Sequence, residues 1–476
     1  MILWRDTVTA GEFSVAYSKT GEAWGDYRLQ MPDGSFWALP SCSPSVGAST
    51  QFDDLYCRQF MVPVTVPAGV YPISRGVPGQ YYDAGTITVA AKPAAKEVSY
   101  IQPGDNWQQV QFAIDAGKEV RLLPGLHVWA NQIYLREGSV IRGTHRDLTY
   151  VKRLYQIPNH AQFSRVFTIP TASTSNFTIS DLTIEPDPSC PLTPVMFHAY
   201  PGDPRNATIQ RCRFIELGGI SSGAVGWLID DCIFDRCAFS GHGSVFRNCV
   251  WNGFGRRYAN ASGGLAVGTE LTVSGNSWVF DCVFDRTGRG INISGQGNTV
   301  VIGALFRDIA SLVNKNEVIN LESSTGPVES IYLSHMRVNN CHGPTLMFNQ
   351  GACGQLVVED LKVWGGGAIC FNDDSPTKAV LRRCELENCV VWSGNGSDIT
   401  FPANGEHTYL FWNGGRALNQ VTNDHVWMPE KHPFDGPGVK NAAGLRVIRP
   451  DSGSVPDLTG DVLDIRSKLA AVKNVL

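Results

Sequence analysis

Apolar and polar residues follow a short recurring pattern along much of the chain. Eight segments share one mould: an apolar-x-apolar triplet, a polar pair, then a second apolar-x-apolar triplet. They are NFTISDLTI (Asn176 to Ile184), ATIQRCRF (Ala207 to Phe214), WLIDDCIF (Trp227 to Phe234), SVFRNCVW (Ser244 to Trp251), WVFDCVF (Trp278 to Phe284), IYLSHMRV (Ile331 to Val338), LVVEDLKV (Leu356 to Val363) and AVLRRCEL (Ala379 to Leu386). Equivalent positions Cys212, Cys232 and Cys249 are 20 and 17 residues apart. Later steps are longer, as inserted loops would make them. Periods of this size indicate a solenoid in which each repeat is one coil. Two short strands joined by a polar bend send alternate side chains inward, so stacked coils build ladders of like residues. Here one ladder is Cys/Leu/Met and its neighbour is Phe/Val/Ile. A further strand per coil fits GINISG (Gly290 to Gly295), VINLES (Val318 to Ser323), TLMFNQ (Thr345 to Gln350) and AICFND (Ala368 to Asp373).

The ends of the chain read differently. Residues 1–95 hold short apolar alternations broken by Gly and Pro, as in Phe60 to Ile73, and predict a small antiparallel domain. Residues 91–97 form a linker. WQQVQFAIDAG (Trp107 to Gly117) has Val110, Ala113 and Ile114 at helical spacing. Beyond about residue 400 the repeat fades, and Val462 to Leu476 suits a terminal helix or cap.

The helix, then EVRLLPGLHVW (Glu119 to Trp129), then GSVIRGTHRD (Gly138 to Asp147), resembles the N-terminal cap and first coils of pectin-lyase-like β-helix proteins. The resemblance covers roughly residues 98 to 400. It implies a right-handed parallel β-helix; with the small β-sandwich-like domain read in front of it, the chain is expected to be all-β. The expected domains are 1–95, then a β-helix over 98–400 with an N-terminal capping helix, then a C-terminal extension over 401–476. This fold hosts lyases, hydrolases, epimerases, viral spikes and adhesins, so it fixes no single activity.

Composition narrows the partners. Charged residues make up 17% of the 476 and the net charge is −5, so there is no basic track for nucleic acid. No apolar run is long enough to cross a membrane as a helix, and the first residues lack the features of a secretory signal. The 13 Cys show neither paired nor metal-ligand spacing. They read as small buried hydrophobes and free thiols, with no metal or other cofactor implied.

In the resembling enzymes substrate lies along the outside of the solenoid. With Ile291/Ile293, Ile319/Leu321, Leu346/Phe348 and Ile369/Phe371 inward, alternation places Asn292, Ser294, Asn320, Glu322, Met347, Asn349, Cys370 and Asn372 outward. Arg289, Glu317 and Asp374 flank this strip. The catalytic candidates are Glu322, Asp374, Glu270 and Glu317; the substrate-binding candidates are Arg289, Asn292, Asn320, Asn349 and Asn372. Coil spacing puts Glu322 and Asp374 on the order of 9 Å apart, a separation suited to inversion through a bound water. Glu270 is a second partner for Glu322. The same residues also suit an ordinary solvated solenoid surface.

Asp230-Asp231 with Gly241-His242-Gly243 is similar in letters to polygalacturonase-type hydrolases. Asp231 and His242, however, are only 11 residues apart, and that family's Arg-Ile-Lys clamp is absent. A lyase base would come from Arg256, Arg257, Arg289 or Lys315. Trp24, Trp37, Tyr17 and Tyr27 in the front domain suit either sugar stacking or its core. The function expected is a polysaccharide-degrading enzyme, hydrolase before lyase, with a polysaccharide or surface glycan as partner. The alternative is a glycan-binding or structural virion or cell-surface protein, extracellular or on a particle, as a homotrimer or a larger particle.

Overall fold

The computed structural model describes residues 2–19, 26–39, 55–154, 165–170, 174–187, 195–199, 205–220, 224–253, 270–309, 317–323, 326–341, 345–350, 353–366 and 369–371, and short strands beyond. Contacts divide the chain into two compact units, Met1–Tyr100 with Phe112–Arg121, and Ile101–Gln111 with Leu122–Leu476.

In the first unit, strands Ile2–Leu3, Phe13–Lys19 and Leu55–Met61 form a three-stranded sheet. A five-stranded sheet holds Thr7–Thr9, Asp26–Gln30, Phe36–Leu39, Gly69–Val77 and Gln80–Ala90. Their facing side chains share one core of Val8, Ala16, Leu29, Phe60, Tyr71, Ile73, Ile87 and Val89, which makes the unit a small sandwich. Trp37 packs partly buried against that core. Trp24 and the side chains of Tyr17 and Tyr27 lie outside the described residues.

The second unit is a parallel β-helix. Each coil contributes a strand to each of three sheets, and strands pair in parallel with the same element of the next coil. The first sheet includes Val140–Arg142, Leu228–Asp230 and Val245–Arg247 and ends at Val421–Thr422. The second runs from Gly125–Trp129 to Val447–Ile448. The third comes in two pieces, from Ile133–Tyr134 to Gly218–Ile220 and from Ala224–Val225 to Trp392–Ser393. The Gln111 side chain donates to Tyr134 O at 3.0 Å and accepts from Tyr134 N at 2.8 Å. It thereby occupies the free hydrogen-bonding edge where the third sheet begins. Val462 to Leu476 lie outside the described residues.

The polar pair in each repeat has a geometric cause. Its second member, at the turn from the first sheet to the second, sits in the left-handed region: Asp181, Arg211, Asp231, Asn248, Asp281, His335 and Asp360 have φ of 50–63°. Asp and Asn tolerate this conformation better than branched residues do. Gly303 takes the same place at φ +74°, where a Cβ would meet Asp281 Oδ1 at 2.2 Å.

Inward side chains stack as the repeat predicts. Cys212, Cys232, Cys249 and Cys282 are free and buried, and Cys384 lies outside the described residues. Each of these four thiols donates to the carbonyl two residues back, at 3.3–3.4 Å. Beside them Phe214, Phe234, Trp251, Phe284 and Phe306 stack face to face, with centroids 5.4, 4.8, 4.8 and 4.8 Å apart. Offset stacking of this kind adds to the area burial of each ring.

Candidate active site

The strip of interest lies on the third sheet. Strands Ala238–His242, Glu270–Ser274, Ile291–Ile293, Ile319–Glu322 and Leu346–Gln350 follow one another in parallel. Ile291, Ile293, Ile319 and Leu321 are fully buried and form the inward set. One outward column is then Ser240, Thr272, Asn292 and Asn320, residue opposite residue.

Arg289 enters the strip from the bend before Ile291. Its neighbour Gly290 has no room for a side chain, since a Cβ would stand 2.3 Å from Val318 O. That close approach lets Gly290 N donate to Glu317 O at 3.2 Å and Ile291 N to Val318 O at 2.8 Å. The Arg289 guanidinium thus lies against the segment that carries Glu317.

Three carboxylates converge on this guanidinium. Nε donates to Glu317 Oε2 at 3.0 Å, and Nη1 lies 3.5 Å from both Glu270 Oε2 and Glu322 Oε2. The Glu270 and Glu322 oxygens therefore lie no more than about 7 Å apart. Exposure is graded across the cluster: the side chains of Arg289, Glu317, Glu270 and Glu322 are 2%, 6%, 17% and 39% exposed. Arg289 and Glu317 are the buried base, and Glu322 stands at the surface.

Asn320 completes the cluster. It is fully buried, and its Nδ2 donates to Asn292 Oδ1 at 2.9 Å and to Glu322 Oε2 at 3.3 Å. The Glu322 carboxylate is held from one side by a cation and from the other by an amide, a supported arrangement of the sort reactive side chains need.

Of the residues expected from sequence, Arg289, Glu270, Glu317, Glu322, Asn292 and Asn320 come together. Asn349 does not continue the column by simple alternation. A register irregularity pairs Leu321 with Phe348 and Glu322 with Gln350, so Asn349 is the extra residue. Asp374 and Asn372 lie outside the described residues, as do Arg256, Arg257 and Lys315. The Asp230/Asp231/His242 set is dispersed. Asp230 makes a two-point contact with Arg247, at 2.9 and 2.6 Å. Asp231 is a bend residue whose Oδ1 accepts from Arg146 at 3.1 Å. His242 ends a strand of the third sheet instead, with Nδ1 3.1 Å from Ser274 Oγ. Among the described residues no group of His, Cys, Asp and Glu has the arrangement of a metal site, and no helix is long and apolar enough to cross a membrane.

No protein-family model and no curated protein matches the chain. Among solved structures it is similar to the catalytic domain of a GH87 alpha-1,3-glucanase in complex with tetrasaccharides, at 15% identity over 92% of each chain with a TM-score of 0.36. It is also similar to the A-module of the Azotobacter vinelandii mannuronan C-5 epimerase AlgE6, at 15% identity over 72% of this chain and 92% of that one, TM-score 0.31. Tailspike protein 3 of bacteriophage CBA120 is 10% identical over 65% of this chain and 58% of its own, TM-score 0.31. None of these likenesses transfers a residue role to this chain.

Proposed function

We propose that this chain is a carbohydrate-active enzyme that hydrolyses a polysaccharide laid along the third sheet, with Glu322 and Glu270 as its working carboxylates. The observation that carries the reading is that both lie on one guanidinium nitrogen, within about 7 Å of each other, with Glu322 open to solvent. Glycosidases use two carboxyl groups about 5–5.5 Å apart for retention and about 6.5–9.5 Å apart for inversion. Glu322 protonates the departing glycosidic oxygen as its bond to the anomeric carbon breaks. Glu270 either attacks that carbon or takes a proton from the water that does. Arg289 and Asn320 hold the pair in place. Of the lyase bases expected from sequence, Arg289 is buried and bound to carboxylates, and Arg256, Arg257 and Lys315 lie outside the described residues.

A second reading is a virion or cell-surface protein that binds glycan without cutting it, extracellular or particle-borne and homotrimeric. The separate sandwich unit favours it, because such a unit suits attachment to another body. Reducing-end release from a polysaccharide panel, run beside the oligomeric mass by light scattering, separates the two. New reducing ends without unsaturated products support the hydrolase, and both signals together mean a lyase. A trimer that holds glycan without cutting it supports the second reading.

A further inference from the structure

We infer that the Arg289-centred strip takes a neutral glycan and discriminates against polyuronates and other anionic chains. The inference rests on the reading of this strip as the glycan site and adds the substrate class to it.

The argument is one of charge and of donor direction. Three carboxyl groups share a single guanidinium, so the cluster keeps an excess of negative charge even with Glu322 protonated as the acid. The cation is the most buried member, at 2% exposure, and the outermost member is the Glu322 carboxylate, at 39%. Arg289 spends Nε on Glu317 and turns Nη1 toward Glu270 and Glu322. The one described amide donor beside Glu322, Asn320 Nδ2, is spent on Asn292 and on Glu322 itself. These donors therefore point into the cluster, and the group at its outer end, the Glu322 carboxylate, is an acceptor. Sugar hydroxyls donate hydrogen bonds to such acceptors. A uronate carboxylate has no donor to offer and would be set against like charge.

Cations at the neighbouring corner, where the second sheet turns into the third, are also engaged. Arg236 Nη1 lies 2.8 Å from Glu216. Arg286 Nη2 lies 3.5 Å from Asp285 Oδ2 and donates to Asn252 Oδ1 at 3.2 Å. Among the described residues, then, the Arg289 cluster presents no cation at its outer end, and the corner arginines Arg236 and Arg286 each already face an acidic partner.

The test uses the full chain with laminarin, starch and dextran as neutral probes, and polygalacturonate and alginate as anionic ones. Retardation in polymer-loaded native gels and reducing-end release are read together, at low and at high salt. The expected result is retardation or cleavage with a neutral polymer, and a preference over either anionic polymer of at least roughly tenfold that narrows as salt screens the like charges. Cleavage or tight retention of polygalacturonate or alginate by the wild-type chain overturns the neutral assignment, and leaves the glycan-site reading standing if Glu322→Gln abolishes that cleavage. Silence with all five polymers overturns both.

Discussion

Arg289 and Glu317 form a buried ion pair, Nε to Oε2 at 3.0 Å, with both side chains almost wholly removed from solvent. Removing one member of such a pair leaves the other charge unpaired in a poorly solvated place, and that costs about 3–5 kcal/mol. Arg289→Ala should lower the unfolding free energy of the β-helix unit, read from urea titration, by an amount of that order. Glu322→Gln, at the exposed end of the same cluster, should shift it by under about 1 kcal/mol. Equal midpoint shifts for the two variants would contradict the graded burial of the cluster.

Glu322→Gln keeps the shape of the side chain and the possibility of a hydrogen bond from Asn320, but removes its capacity to give or take a proton. General acid–base catalysis contributes about 10²–10⁴-fold. Glycan-cleaving activity should fall by at least the lower figure, while circular dichroism and the unfolding midpoint stay near those of the wild type. Full residual activity removes Glu322 from the chemistry.

The ladders and the strip were legible in the sequence for one physical reason: period-two alternation within a coil and repetition between coils are both written in residue order. Hence Cys212, Cys232, Cys249 and Cys282 fall in one column, and Asn292 pairs with Asn320. Two features could not be counted out in this way. The extra residue at Asn349 breaks alternation at the strand end. Capture of Glu270, Glu317 and Glu322 by one arginine joins three coils across loops whose lengths the repeat does not fix. The polar bends have a cause of their own. Asp230 and Asp231 have the letters of a catalytic pair, yet their place follows from a left-handed corner and from ion pairs with Arg247 and Arg146.

The cysteine ladder makes a chemical prediction. Burial pushes the Cys212 and Cys249 thiols well up from their ordinary range, and raises Cys341 to about 11 and Cys353 to about 12. Reactivity tracks the thiolate. A thiol reagent at neutral pH should leave these residues unmodified in the native chain and label them once guanidinium opens the solenoid, without any reductant. Mass mapping of the labelled peptides checks this, and failure to label them in denaturant would mean that they are bonded.

His127 gives the pH dependence. It is buried in the second strand after the helix, and its Nε2 lies 2.8 Å from Leu123 O. Nε2 therefore carries the proton, and the buried Nδ1 has no hydrogen-bond partner. Burial lowers the imidazole's tendency to protonate, outweighing the Leu123 carbonyl and the more distant Asp105. The folded chain thus holds His127 neutral, while the unfolded chain protonates it below about pH 6.5. The unfolded state then binds the extra proton, so this contribution to stability is complete above pH 6.5 and is lost as pH falls from there toward the depressed folded value. Urea midpoints at pH 7.5 and pH 5 should show the chain weaker at the lower pH. His127→Gln can retain a donor toward Leu123 O without titrating, and should show a smaller drop between the two. An unchanged drop in that variant would place the acid sensitivity elsewhere.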